Sequence, residues 1–355
     1  MANTRYENFV LENELKDQLN TRLNMLDYLT LDDSLVGTPG MTKKVHVYTA
    51  TGEAEDVAEG EGNTQSIEMS YTAKDYVVGT TQGRFVYTDE DEMTDDFMVE
   101  AGMSKLSESL TNHLRAKVAA EYWNATRYIG YAKGTDTVGF AHFVDAIALL
   151  NKEDDAETEA QLFALCNPNM KAALRKALKD DLKYNEDYAR TGYIGHVAGV
   201  PLRTSKLIPD GCVIIASKKA VKYFYKKDVE IERERDANTR TNKVYGRQVG
   251  LVAFVDEGEC AIIAPNGAAP TITTASIAAG TGKAITGACA EGARVDVLRN
   301  GVKIGDAAVT GMTWNYTIDT ATAAEKYSVR QYVPGFAAAT SEEKTVAGER
   351  RREGV

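Results

Sequence analysis

The sequence predicts an α+β protein that continues into a small all-β sandwich. Apolar and polar residues alternate with a period of two in parts of 43–88, which predicts strands with one half-buried face. Apolar residues then recur at three- and four-residue spacing over 95–127, which predicts a long helix. Beyond residue 265 the composition shifts to short segments rich in Thr, Ala, Gly and Val. At 355 residues the chain has room for two or three domains.

The composition excludes several classes of protein. Hydrophobic residues make up 43% and charged residues 26%, which is typical of globular domains and excludes a wholly disordered chain. Lys and Arg number 41 against 52 Asp and Glu, so the formal charge of −11 argues against general nucleic-acid binding. No apolar run approaches the roughly 20 residues that span a bilayer, and the first residues lack the pattern of a secretion signal. We therefore expect a soluble chain that is made in a cytoplasm and has no membrane partner.

Residues 1–40 are interpreted as an N-terminal arm. Leucines recur at helical spacing from Glu7 to about Leu31, and the pattern stops at the Gly and Pro residues that follow. A helix with one narrow leucine stripe has to pack that stripe on something. The residues leave open whether it packs on the chain's own core or on a neighbouring subunit. The candidate intersubunit contacts in the arm are Leu11, Leu15 and Leu19.

Residues 41–88 are predicted to form one long two-stranded hairpin with a flexible acidic tip. The tip, residues 52–62, holds five carboxylates and little that could pack. A two-stranded ribbon on its own is marginally stable in water, so a long one needs a partner. The candidate contacts with that partner are Val45 and Val47 on the strand, and Glu53, Glu55, Asp56, Glu59 and Glu61 at the tip.

The stretch 95–127 gives the strongest helical signal in the chain. Thr94 is the expected N-cap, and the carboxylates around it suit a helix N-terminus. At about 1.5 Å per residue, this helix would be a rod of roughly 45–50 Å. Such a rod would suit the spine of an extended subunit.

Residues 137–235 are predicted to be an α/β domain in which short apolar strands alternate with helices. Within it, 217–225 is predicted to be helical and 229–235 to be an alternating strand. The charges at the end of that strand fit a solvated face, and they also suit reciprocal ion pairs between identical neighbours. The candidate contacts are Glu232, Arg233, Glu234 and Arg235.

Residues 268–340 are predicted to form the β-sandwich, because at least five short strands follow one another at close spacing. Asn300 and Gly301 are typical of a type I′ hairpin turn. Trp314 lies in mid-strand, where a core anchor is expected. Residues 341–355 are interpreted as a solvated tail.

No residue pattern indicates catalysis. The four histidines are scattered without an HExxH motif, and the four cysteines lie far apart without a CxxC pair. Three of those cysteines lie in apolar runs, where Cys behaves as a small buried hydrophobe. We therefore assign no catalytic, cofactor-binding or metal-binding residue and expect a protein that is not an enzyme.

The order of these segments resembles the major capsid proteins of tailed bacteriophages, which share the Hong Kong 97-type fold. The resemblance rests on the arm, the hairpin VHVYTATGEAEDVAEGEG, the long helix, and the run GYIGHVAGVPLRTSKLIPDGCVIIASKKAVKYF with VEIERERD after it. It covers roughly residues 5–264. It implies that 41–88 is an extended loop over an adjacent subunit, that 89–136 and 236–264 form a peripheral domain with a spine helix, and that 137–235 is an axial domain. Residues 268–340 resemble a bacterial immunoglobulin-like domain.

The resemblance implies a virion protein that assembles from pentamers and hexamers into an icosahedral head shell. The shell would enclose double-stranded DNA without sequence-specific binding. Further implied partners are a separate scaffolding protein, a portal protein and decoration proteins, with assembly in the host cytoplasm. Host-surface glycans are a candidate ligand of residues 268–340. Two alternatives stay open: an encapsulin-like nanocompartment shell, which would enclose protein, and an α/β enzyme with a sugar-binding sandwich, which would stay a small oligomer.

Overall fold

The computed structural model describes residues 28–51, 55–57, 59, 62, 66–95, 97–150, 162–178 and 195–347. The helices in these residues are α1 (Asp89–Thr94), α2 (Met98–Tyr122), α3 (Phe140–Leu149) and α4 (Pro168–Ala177). The strands up to residue 265 are β1 (Thr30–Asp32), β2 (Thr42–Thr51), β3 (Glu68–Val77), β4 (Gly79–Thr88), β5 (Arg127–Tyr131), β6 (Leu162–Cys166), β7 (His196–Val197), β8 (Val200–Thr204), β9 (Val213–Ser217), β10 (Val221–Asp236), β11 (Thr241–Phe254) and β12 (Cys260–Pro265). The later strands are β13 (Thr271–Ile272), β14 (Ile277–Ala278), β15 (Gly280–Ala288), β16 (Arg294–Arg299), β17 (Val302–Asp306), β18 (Ala308–Thr310), β19 (Thr313–Ala321), β20 (Lys326–Tyr332), β21 (Ala339–Thr340) and β22 (Lys344–Ala347).

The chain forms two compact units, each built from two separate segments. The first unit comprises Met1–Asn124 with Ser217–Glu259, and the second comprises Ala125–Ala216 with Cys260–Val355. Residues 217–235, which the prediction assigns to the 137–235 domain, lie in the first unit, where β10 pairs along its length with β11. β12 pairs with β5, as the predicted grouping of 89–136 with 236–264 allows, and also with β9, and the paired residues of all three strands lie in the second unit.

The first unit is a four-stranded sheet in the order β1–β10–β11–β4, with α2 packed on one face. The predicted helix at 217–225 is absent here, because Val221, Tyr223 and Phe224 belong to strand β10. These β-branched and aromatic residues favour a strand, and β11 supplies the pairing partner. The core between α2 and the sheet contains Tyr87, Val99, Met103, Leu106, Leu110, Val229, Ile231 and Val244.

The long helix is confirmed, although both of its ends differ from the prediction. Thr88, not Thr94, forms the side-chain cap: its hydroxyl accepts from the Asp91 N–H at 3.1 Å, and the Asp91 carboxylate accepts from the Thr88 N–H at 3.0 Å. This capping box starts the short α1, and α2 begins only at Met98. Because α2 ends at Tyr122, its 25 residues span about 37 Å, less than the predicted rod.

The predicted hairpin is shorter than 41–88. β2 and β3 pair antiparallel from Thr42↔Val77 to Thr51↔Glu68, but β4 leaves this ribbon and joins the edge of the four-stranded sheet beside β11. The sequence pattern does not show this transfer, since β4 follows β3 after a single residue.

The arm prediction is tested only at its end. Residues 30–32, which the leucine pattern places in a helix, form the strand β1, which pairs in parallel with β10. Leu11, Leu15 and Leu19 lie outside the described residues.

The second unit begins with a six-stranded mixed sheet in the order β5–β12–β9–β6–β8–β7. α3 and α4 contribute to one core with the sheet face that carries Val213, Ile215, Ala261 and Ile263. Asn167 caps α4, because its side-chain oxygen accepts from the Asn169 N–H at 3.0 Å, and the proline at the first helical position follows as predicted.

The predicted β-sandwich is present from β13 to β22. One sheet has the order β13–β15–β19–β18 and the other the order β14–β22–β20–β16–β17, with β21 beside β20. Trp314 is the predicted core anchor and is 1% exposed. Asn300 and Gly301 have positive φ of 51° and 83°, as the I′ turn between β16 and β17 requires. The predicted tail starts too early, since β22 buries Val346 in the sandwich core.

The sandwich packs on the six-stranded sheet within the second unit. Gly130 makes the close approach possible, because a Cβ there would lie 2.1 Å from the Asn266 Oδ1. Nearby, the Ala337 N–H donates to the Pro265 carbonyl at 2.8 Å. The rings of Tyr128 on β5 and Tyr332 on β20 lie 5.8 Å apart. The sandwich is therefore seated on the face of β5 opposite to α3.

Candidate assembly surfaces

The β2–β3 ribbon is held at its base by the rest of the first unit. Val45 is 6% exposed and packs with Leu35, Val78, Phe224 and Leu251. The Tyr76 hydroxyl donates to the Phe254 carbonyl at 3.3 Å, and burial raises the pKa of Tyr76 to about 12. Val45, predicted as an intersubunit contact, is therefore a core residue of its own chain, because it lies at the anchored end of the strand.

One face of the ribbon is uncovered, both at that base and further along β3. Met69, Tyr71 and Val77 are 68%, 66% and 74% exposed. They share this face because alternate residues of a strand point the same way, and His46 on β2 lies edge-on to Tyr71 with ring centroids 5.3 Å apart. Met69 and Tyr71 are neighbours on this face, whereas Ala73 and the Lys44–Asp75 ion pair lie between them and Val77. Exposed large apolar side chains that lie together mark interaction surfaces.

The sequence alternation around residues 67–72 signalled this face, although Met69 and Tyr71 were not among the predicted contacts. The predicted acidic tip is described only in part: Asp56 and Glu59 are exposed and Glu55 is half-buried, whereas Glu53 and Glu61 lie outside the described residues. The strand position of Val47 is described, but its side chain is not.

The predicted charge run on β10 is divided between the two faces of the sheet by strand alternation. On the outer face, Glu232 lies 3.2 Å from the Arg247 guanidinium, and Glu234 accepts from the Tyr245 hydroxyl at 3.0 Å. On the other face, the Arg233 guanidinium donates to the Tyr87 hydroxyl at 2.6 Å. All four predicted residues have partners in their own chain, and a role in contacts between copies stays a prediction.

Arg235, the last of these residues, fixes the start of α1. Its guanidinium lies 2.6 Å from the Asp89 carboxylate, which also accepts from the Asn242 amide at 2.7 Å. These hydrogen bonds from Arg235 and Asn242 hold the pKa of Asp89 below its ordinary value of 3.8.

The Asp89 cluster predicts a small loss of stability in acid. A lowered folded-state pKa means that the contribution is present above the unfolded value of 3.8 and is lost as the pH falls through the folded pKa. Asp89→Asn should therefore reduce the unfolding midpoint slightly at pH 7, and the difference from wild type should shrink below pH 3.8. Urea titrations at several pH values measure this. Exposed Asp33→Asn is the control, and equal shifts in both variants would contradict the prediction.

The cysteines are placed for packing. All four are buried, and burial raises the pKa of Cys166 to about 11 and of Cys212 to about 12. Within the described ranges, no group of three or more His, Cys, Asp and Glu side chains could hold a metal ion. A search of the same ranges finds no helix with the length and apolar character to cross a membrane.

Comparisons with known proteins agree with this architecture. Residues 71–264, more than half of the 355, match the family model described as phage capsid protein. The major capsid protein of Staphylococcus phage phiMR11 is 24% identical over 255 residues, which cover 70% of this chain and 90% of that protein. The mature capsid of bacteriophage PhiM1 has a TM-score of 0.52 at 12% identity, covering 68% of this chain and 86% of the other. The capsid of cyanophage P-SCSP1u has a TM-score of 0.52 at 14% identity, covering 68% and 87%.

Proposed function

Because this chain belongs to the phage capsid protein family and forms the capsid shell of a phage, we propose that its β2–β3 ribbon clasps a neighbouring copy in that shell. The observation that carries this proposal is the uncovered ribbon face with Met69, Tyr71 and Val77. A ribbon of two strands gains little stability from its own pairing, so a neighbour that buries this face would stabilise both the ribbon and the contact.

The proposed shell has the Hong Kong 97-type architecture, with α2 as its spine helix and with pentamers and hexamers of this chain as its units. Heterologous contacts between identical chains close into shells when the rotations allow it. Modest contacts suffice, because each copy touches several others and the contacts act together. A separate scaffolding protein, a portal protein and decoration proteins complete the proposed set of partners, and assembly takes place in the host cytoplasm.

The proposed content of the shell is double-stranded DNA. A formal charge of −11 per copy supports a wall that repels the packed genome and does not bind it, which suits DNA that must later leave. The sandwich, proposed to be an immunoglobulin-like domain, is then a second folded module attached to the shell-forming part of the chain. Nucleic acid extracted from purified particles supports a phage head, and a protein cargo supports a nanocompartment.

Deletion of residues 53–61 tests the clasp. We expect several-fold fewer particles, or particles that dissociate at lower denaturant concentration, because the tip would no longer reach its neighbour. The subunit should stay folded, since the base of the ribbon is held by Val45 and Tyr76. Negative-stain electron microscopy and size-exclusion chromatography give the yield. Deletion of residues 348–355, which follow β22, is the control, and unchanged particles from the 53–61 deletion would remove the clasp from the proposal.

A further inference from the structure

A second uncovered apolar surface lies on α3, in the other unit. The inward side of this helix buries Phe143, Ala146 and Ile147 against the six-stranded sheet. Its outward side exposes Phe140, Val144 and Leu149. A helix that is apolar on both sides normally has both sides buried. We therefore expect another molecule to pack on the outward side. The only charged side chain on this side of α3 is the exposed Asp145.

The opposite end of the same sheet has complementary chemistry. Directly after β8, Lys206 and Leu207 are exposed side by side. Nearby, α4 carries three basic residues and no acidic one. One end of the sheet thus presents apolar residues with an acid, and the other presents Leu207 beside Lys206, with the exposed Asp210 further along the same loop.

The two surfaces of one chain cannot cover each other. α3 packs on β12 and β5, whereas Lys206 follows β8, and the strand order places β12, β9 and β6 between β5 and β8. Four strand spacings of about 4.8 Å separate β5 from β8 by about 19 Å. The loop after β8 has returned only as far as β6 at Ile208, whose carbonyl accepts from the Asn167 amide at 2.9 Å, and it reaches Tyr131 of β5 only at Gly211. Neither the Asp145 nor the Lys206 side chain forms an ion pair or a hydrogen bond with the part of the chain that the structure describes. Both ends are therefore available to other molecules.

We infer that the outward side of α3 in one copy packs on Lys206 and Leu207 of the next copy, with Asp145 facing Lys206. Two different surfaces at opposite ends of one sheet make a head-to-tail contact, which generates a ring when the rotation closes. The occupant is a second copy of this chain because both halves of the complementary pair are present on it. This inference rests on the proposed function and gives its rings a specific interface.

Charge exchange tests the contact. Asp145→Lys and Lys206→Asp should each reduce the particle yield about tenfold, because like charges across an interface are strongly unfavourable. The double variant Asp145→Lys/Lys206→Asp should return the yield to about that of wild type, because every contact regains opposite charges. Asp319→Lys, an exposed reversal in the sandwich, is the matched control. Single variants that assemble like wild type, or a double variant no better than the singles, would overturn the inference.

Crosslinking gives an independent measurement. Val144→Cys combined with Leu207→Cys should form disulfides between copies in oxidised particles, and the products on a non-reducing gel should be a ladder that ends at the ring size. The native cysteines are buried, so they contribute little background. Each single Cys variant should give no ladder. Particles that yield no ladder, or dimers alone, contradict the head-to-tail contact, whereas a wild-type chain that forms no particles contradicts the proposed function itself.

Discussion

Replacing Met69 and Tyr71 together with aspartate is expected to abolish shell formation while the subunit stays folded. Both side chains are about two-thirds exposed in the single chain, at 68% and 66%, so the change disturbs little of its own packing. In the shell, however, each aspartate would be carried into an apolar contact. Burying an unpaired charge is so unfavourable that the contact is avoided, and the loss is repeated at every copy.

The measurement is particle yield by electron microscopy, together with circular dichroism of the unassembled subunit. Val302→Asp is a suitable control, because Val302 is similarly exposed at 69% but lies on the sandwich. We expect that control to assemble. Normal particles from the Met69→Asp/Tyr71→Asp variant would show that the ribbon face stays in solvent, and the proposed clasp would then be wrong.

Replacing Trp314 with alanine should destabilise the sandwich by about 3–5 kcal/mol, the range for removal of a large buried aromatic side chain. Trp314 is 1% exposed, and its indole N–H donates to the Thr271 carbonyl at 3.2 Å. The ring packs directly on backbone: a Cβ at Gly287 would lie 2.6 Å from it. Because Gly287, the cross-strand partner of Trp314, has no side chain, that partner cannot fill the cavity.

Urea unfolding followed by circular dichroism measures this change, and Met312→Ala in the same sandwich is the control because Met312 is 62% exposed. The control should unfold within error of wild type. A loss below about 1 kcal/mol for Trp314→Ala would mean that the two sheets close over the gap, contrary to the usual behaviour of packed cores. If the chain unfolds in two steps, we expect Trp314→Ala to lower the urea midpoint of the step in which the second unit unfolds.

Features that depend only on residues close together in the sequence could be predicted from it. The seven apolar positions of α2 have one helical period and are all buried, and the turn at Asn300 and Gly301 depends only on its own residues and their backbone angles. The core position of Trp314 follows from its place in a strand. Each of these features is set by local pattern, so no knowledge of distant residues is needed.

Features set by distant partners could not be predicted. Residues 217–225 include Lys and Ala residues that a helix tolerates, and only pairing with β11 makes Val221–Asp236 a strand. Likewise, β4 joins β11 although it directly follows β3. The ion pairs of Glu232 and Arg235 depend on side chains from β11 and α1. The need for a partner was visible in the ribbon's sequence, but which of its residues stay exposed depends on how its base is anchored.

The position of β12 in the six-stranded sheet affects how the chain folds during its synthesis on the ribosome. β12 lies between β5 and β9, yet roughly 130 residues separate it from β5 along the chain. At about 5–20 residues per second, the edge of β5 therefore waits about 6–26 s for its neighbour during translation. An open edge is a template for wrong pairing, so nascent chains are most vulnerable to aggregation in that interval. Slow codons upstream of residue 260 would prolong the interval between the synthesis of β5 and that of β12. Chaperones that cover exposed strand edges would be needed most during this interval.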